Sequence, residues 1–178
     1  MAAGARLRIG QGWDIHRLVA GRPLMLGGVL VPHERGLLGH SDGDAVLHAV
    51  ADALLGALAA GDLGQHFPDT DSRWRGADSA GLLGEVVRLV AARGARVVNV
   101  DVSILAERPR LAAHLPAMRA RLAGLLAIDG DRVGLKARTM EGLGAIGAGE
   151  AIAAQAVALI ELAAPLRRRR RARSGSSG

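Results

Sequence analysis

The chain predicts an α/β fold, an α+β sandwich in which a mixed β-sheet is covered by helices on one face. Three observations carry this. Val98, Val100, Val102 and Ile104 alternate with Asn99, Asp101 and Ser103, the period of two of a half-buried strand. Leu47, Val50, Ala51, Leu54, Leu55 and Leu58 recur at helical spacing, as do Leu82, Val86, Leu89 and Val90, and again Leu115, Met118, Leu122 and Leu125. Strand-like and helix-like stretches alternate along the chain, so the natural packing is a sheet layer under a helix layer.

Taken in order, Leu7 to Trp13 is a short strand and Leu24 to Val31 another, bent at Gly27-Gly28. Ser41-Asp42-Gly43-Asp44 opens the first helix, with Ser41 and Asp44 at capping-box spacing, and Gly61 stops it. Residues 64–76 form a polar loop around Phe67-Pro68-Asp69. Asp78-Ser79 starts the second helix and Arg93-Gly94 closes it. Pro116 fits the first turn of the third helix. Val133 to Ala137 is a strand, whereas Ala151 to Leu162 is strand or helix, and periodicity alone leaves that open. Residues 1–165 read as one domain and 166–178 as a basic, solvated tail ending in SGSSG, which reads as a cloning remnant.

The net charge of +6 points superficially to nucleic acid. Six of the 23 basic residues are Arg167 to Arg171 and Arg173, however, which leaves 17 bases against 17 acids in the body. A neutral body whose aromatics are Trp13, Phe67 and Trp74 is a poor surface for phosphate backbones or stacked bases, so no nucleic-acid partner is expected. No apolar run reaches the length of a membrane span, so no membrane partner is expected either. MAAGARLRIG lacks an apolar secretory core and there is no cysteine, which together predict a cytoplasmic protein.

The chemistry is concentrated in Asp14-Ile15-His16 and His48. Residues i and i+2 of a strand project from one face, so Asp14 and His16 point together. His48 shares a helix face with Asp44 and Asp52, either of which is placed to orient its second ring nitrogen. Two imidazoles and a carboxylate, with a fourth position open, match the ligand count of a catalytic zinc site. Spacing alone leaves a second reading open, in which these are solvated polar groups at a strand end and on a helix face. His40-Ser41 stands at a helix N-terminus that favours an anion, unless Ser41 only caps the helix. Gly142, Gly144 and Gly147 spell G-x-G-x-x-G, but too few residues follow to complete a dinucleotide fold, so they are assigned to a tight loop. There is no G-x-S-x-G elbow and no cysteine nucleophile.

Five segments, RIGQGWDIH, LLGHSDGDAVLHAVADALLGA, GDLGQHFPDTD, NVDVSILAERPRL and KARTMEGLG, in this order and spacing, closely resemble the 2-C-methyl-D-erythritol 2,4-cyclodiphosphate synthase family. The likeness runs from about Arg8 to Leu162. It implies conversion of 4-diphosphocytidyl-2-C-methyl-D-erythritol 2-phosphate to the cyclic diphosphate with release of CMP, in non-mevalonate isoprenoid synthesis. It implies zinc on Asp14, His16 and His48, and a magnesium or manganese ion on Glu141 and the substrate diphosphate. His40 and Thr139 match the positions that stabilise the transition state. The substrate contacts implied are Asp14, Ile15, His16, His40 and Ser41; Asp62, Leu63 and Gly64; Phe67, Pro68, Asp69, Thr70 and Asp71; Ala106, Arg110, Leu111 and Ala112; and Arg138, Thr139, Met140 and Glu141.

The family implies a homotrimer with active sites between subunits. Departures from its pattern cluster late: Met140 replaces a polar residue, Gly142 a lysine, Ala145 an aromatic and Ala148 an arginine. The last two imply weakened binding of an isoprenoid diphosphate in the central trimer cavity. Arg110 stands where lysine is common and keeps the charge. Two other functions fit parts of the chain: a metal phosphohydrolase using the same ion, and a non-catalytic trimeric binding module.

Overall fold

The structure, a computed structural model, describes residues 6–163; the basic tail and the boundary at residue 165 lie outside them. The strands are β1 (Arg6–Ala20), β2 (Leu24–Leu26), β3 (Val29–Val31), β4 (Arg35–Leu37), β5 (Ala95–Leu105), β6 (Val133–Arg138) and β7 (Ala151–Leu162). The helices are α1 (Ala45–Leu58), α2 (Leu63–His66), α3 (Ser79–Ala92), α4 (Leu115–Leu126) and the single turn α5 (Gly144–Gly147). One mixed sheet has the order β4-β1-β7-β5-β6, antiparallel except for the β5–β6 pair. The long helices pack on one face, as the alternating pattern predicts.

The ambiguous C-terminal stretch is β7, the central strand of the sheet. Ala151 to Ala154 are all buried, which erases the period-of-two signature there. The bent strand over 24–31 is a correction. Gly27 and Gly28 have φ of 61° and 71°, the left-handed pair of a two-residue hairpin turn, so two antiparallel strands replace one. The loop over 64–76 is also more ordered than expected, containing α2 and a 3₁₀ turn at Ser72–Trp74.

The β1–α1 contact places the functional residues. Gly10 and Gly12 face a helix stripe of small residues, Ala49, Ala53 and Ala57. A Cβ built on Gly10 would lie 1.9 Å from the Ala53 carbonyl oxygen, and one on Gly12 would lie 2.0 Å from that of Ala49. The helix therefore rides on the strand backbone itself, close enough for a side chain of α1 to meet side chains of β1. The opposite face of β1 carries Leu7, Ile9, Trp13 and Ile15, with Ile9 70% exposed, and Val157 of β7 continues this apolar surface.

The start of α1 corrects the expected cap. Asp44 is the N-cap residue and is completely buried. Its Oδ1 accepts N–H bonds from Val46 and Leu47, each at 3.1 Å, and from Gly27 at 2.9 Å, while Oδ2 accepts one from Gly28 at 2.6 Å. One carboxylate thus closes the helix and ties down the β2–β3 turn. Since Asp44 occupies the N-terminal amides, that helix end is not the anion site expected beside His40-Ser41.

Candidate active site

Asp14 and His16 extend from the helix-facing side of β1, and His48 reaches them from the first turn of α1. His16 Nε2 lies 2.8 Å from Asp14 Oδ2, and His48 Nδ1 lies 2.9 Å from the same oxygen. The two imidazole nitrogens are 3.2 Å apart. These are the three residues whose ligand atoms converge within metal-binding range among the described residues.

The other ring nitrogens decide what these atoms are. His16 Nδ1 donates to the Leu38 carbonyl at 2.7 Å, which turns the lone pair of a neutral ring onto Nε2. His48 Nε2 lies 2.9 Å from the Ser79 hydroxyl, which directs its Nδ1 lone pair inward. A carboxylate oxygen and two imine nitrogens then face one another. Without an ion, burial pulls the His16 pKa down, but the hydrogen bond and charge of Asp14 outweigh it and hold it above its usual value. Burial likewise raises Asp14, and its bonds to His16 and His48 outweigh that and hold the carboxyl well below the usual range. A proton on His16 Nε2 satisfies one contact and still leaves the His48 lone pair against the carboxylate. A cation satisfies all three, so this donor set fits a metal, and two nitrogens with one oxygen suit zinc.

The expected orientation of His48 by Asp44 or Asp52 is a correction. Asp44 is held by the hairpin turn, and Asp52 Oδ1 accepts the Leu63 N–H at 2.7 Å. Asp52 thereby fixes the start of α2 beside the site.

His16, His40, Ser41 and His48 line a cavity of about 150 Å³ together with Leu63, Gly64, Phe67, Asp69, Trp74 and Leu82. Asp62 caps α2, accepting the Gln65 N–H at 2.9 Å. Asp71 caps the 3₁₀ turn and pairs with Arg73, so Pro68 and Thr70 lie in a short, pinned loop between two caps. Ile15 is not brought in: its side chain lies on the other face of β1, and only its N–H reaches the group, at 2.9 Å from Asp14 Oδ1. His40 Nε2 is buried without a hydrogen-bond partner among the described residues, and so is Trp74 Nε1. Trp74, packed edge-on against Phe67 with ring centroids 5.0 Å apart, was missed in sequence; its rarity in an aromatic-poor chain was the available signal.

Of the remaining residues, Ala106, Arg110, Leu111, Ala112, Arg138 and Thr139 line a second cavity, of about 240 Å³, while Met140 and Glu141 follow just outside its lining. Ala106 N–H donates to the Arg138 carbonyl at 3.0 Å, and Met140 N–H to Glu107 at 3.2 Å, which joins the two lining segments. Thr139 Oγ1 donates to Glu141 Oε1 at 2.9 Å. The two cavities share no lining residue among those described. His16 pairs with Ile152 on β7, whose neighbour Ala153 pairs with Leu105 on β5, which pairs with Arg138 on β6. Three strand spacings, about 14 Å, therefore separate the halves across the sheet.

Comparison with known proteins adds what geometry alone does not give. The model of the YgbB family matches residues 7–161. The chain belongs to the YgbB family. The chain is 57% identical to the 2-C-methyl-D-erythritol 2,4-cyclodiphosphate synthase of Geobacter sulfurreducens, over 87% of this chain and 99% of that protein. It is 58% identical to the enzyme of that name from Laribacter hongkongensis, over 87% and 96% respectively. A solved 2C-methyl-D-erythritol-2,4-cyclodiphosphate synthase in a CDP-bound form superposes with a TM-score of 0.80 at 48% identity, over 86% of this chain and 99% of that one. The bifunctional IspDF of Campylobacter jejuni superposes with a TM-score of 0.86 at 36% identity; the match covers 90% of this chain and 43% of that one. The mixed sheet and helix layer described above are thus the fold of YgbB-family structures, and the Asp14–His16–His48 group lies within the matched span. No helix among the described residues is long and apolar enough to cross a membrane.

Proposed function

We propose that the protein converts 4-diphosphocytidyl-2-C-methyl-D-erythritol 2-phosphate to 2-C-methyl-D-erythritol 2,4-cyclodiphosphate and CMP, acting as a cytoplasmic homotrimer. The observation that carries this is the convergence of Asp14, His16 and His48 in a chain of this family. The substrate's own 2-phosphate oxygen attacks the β-phosphorus. The bond from that phosphorus to the bridging oxygen breaks, and CMP leaves with the electron pair. Both reacting groups belong to one molecule, so the protein's task is to hold an attack geometry and offset crowded negative charge.

Asp14, His16 and His48 would hold zinc, which would supply Lewis acidity toward a phosphate oxygen, and Glu141 would hold a magnesium or manganese ion that would offset diphosphate charge. His40, with its ring nitrogen unpartnered in the zinc-side cavity, donates a hydrogen bond to a phosphoryl oxygen. Thr139, whose hydroxyl proton lies on Glu141 in the ligand-free chain, would turn it to a phosphoryl oxygen in the other cavity once Glu141 held an ion. Leu63, Gly64 and Phe67 hold the erythritol portion. Ala106, Leu111 and Ala112 receive the cytosine, and Arg110 and Arg138 face the diphosphate.

The trimer reading has its own support. Cavities of about 150 and 240 Å³ each fall below the ~300 Å³ at which small-ligand sites begin. Joining one half from each of two subunits makes a pocket of sufficient size. The apolar face of β1 and β7, with Trp13 and Ile15 each 47% exposed, calls for burial in an assembly.

Incubation of the purified protein with the cytidylylated substrate and magnesium is expected to yield CMP and the cyclic diphosphate in equal amounts, and chelation of zinc to abolish both. CMP with an uncyclised phosphate product would indicate hydrolysis instead, and no turnover by zinc-loaded trimer would indicate a binding module.

A further inference from the structure

The outer nitrogen of the His48 ring meets Ser41, one of the expected substrate contacts, and Ser79, which is not among them. His48 Nε2 lies 2.9 Å from Ser79 Oγ and 3.2 Å from Ser41 Oγ. Ser79, the first residue of α3, is 1% exposed, and its hydroxyl forms a short hydrogen bond to Asp42 Oδ1. A carboxylate only accepts, so the Ser79 O–H donates to Asp42. Ser79 Oγ is then an acceptor toward His48, and the Nε2 proton is the donor. Direction is thus imposed along the chain Asp42, Ser79, His48. Asp42 is itself fixed, accepting N–H bonds from Asp44 and Ser79, each at 3.2 Å. The Ser41 hydroxyl accepts the Gly43 N–H at 3.1 Å and lies 3.3 Å from Ser79 Oγ, walling the other side of the ring.

We propose that Ser79 and Asp42 are positioning residues that lock His48 in the Nε2–H tautomer and aim its Nδ1 lone pair at the metal. A histidine ligand whose distal N–H is held by an anchored acceptor is more basic and already oriented, and loss of such a partner typically weakens metal binding by about 10- to 100-fold. The device also couples two helices: the ligand sits on α1 and its anchor on α3, so their packing sets the ring orientation. This inference rests on the reading of Asp14, His16 and His48 as metal ligands.

Ser79→Ala removes the hydroxyl but keeps the N–H to Asp42, and the Asp78 cap on Ala80 at 2.8 Å is untouched, so α3 still forms. Asp42→Asn is the second variant, which keeps the side-chain shape and removes the charge that directs the proton. Zinc affinity is read by competition with a chromophoric chelator, the geometry by the visible spectrum of the cobalt-loaded protein, and stability by melting the metal-free protein. The expected result is a loss of zinc affinity of about 10- to 100-fold in both variants, with an altered cobalt spectrum and little change in metal-free melting. Wild-type affinity and spectrum in both variants would overturn the relay while leaving the metal site standing. Failure of the wild type to bind either ion would overturn both readings.

Discussion

His48→Ala is expected to leave a folded protein that no longer retains zinc and whose kcat falls about 10³-fold. Two ligands remain, Asp14 and His16, and a pair of half-buried strand side chains cannot hold the ion against solvent. The loss removes positive charge at the point where phosphoryl oxygens gather, and a single electrostatic stabiliser of this kind is commonly worth about 10²- to 10³-fold. Zinc content by elemental analysis and kcat by CMP release check it together; a variant retaining stoichiometric zinc and near-normal kcat would contradict it. The pH response carries a sign. In metal-free protein the raised His16 pKa means that the His16–Asp14 pair stabilises the fold at low pH, and this is lost as pH rises through that pKa. In zinc-loaded protein the ligand must be deprotonated, so occupancy is lost as pH falls through the same range. The two forms should therefore respond oppositely to acidification.

Gly12→Ala is expected to destabilise the fold strongly. The new Cβ would lie 2.0 Å from Ala49 O and 2.7 Å from Ala53 N. Both are helix backbone and cannot rotate away, so α1 must lift from β1. Overpacking a core typically costs 1–3 kcal/mol, and a backbone clash belongs at the upper end, about 3 kcal/mol. For a domain of this size that is a fall in Tm of roughly 10 °C. Because Asp14 and His16 ride on β1 and His48 on α1, the same displacement opens the triad and weakens zinc binding. Gly84→Ala in α3 is the control, since nothing lies within 4 Å of its Cβ and alanine is the better helix former. Equal melting and equal zinc affinity for Gly12→Ala and wild type would show that the strand–helix spacing is not what builds the site.

The three long helices and β5 were legible because periodicity is a local property, and Asp14 with His16 because two residues on one strand face need no tertiary knowledge. What failed was long-range or two-sided. β7 is buried on both faces over its first four residues, so alternation disappears. The Asp44 carboxylate was read as part of a local capping box, whereas a hairpin turn 16 residues earlier completes its bonding. Ser79, 31 residues from His48, gave no spacing signal, because its role depends on how α3 packs against α1. The Gly10, Gly12 and Ala49, Ala53, Ala57 pattern was present as small residues at strand and helix spacing. Its meaning as a close approach emerges only when the two elements are paired.

On the proposed function, one zinc ion sits between β1 and α1. Anomalous diffraction from crystals of zinc-loaded protein, collected on either side of the zinc absorption edge, tests this most directly. A single strong peak per chain within about 2.0–2.2 Å of Asp14 Oδ2, His16 Nε2 and His48 Nδ1 is the expected result. Loaded, active crystals with no peak among those three atoms, or with the ion bound elsewhere, would contradict the account.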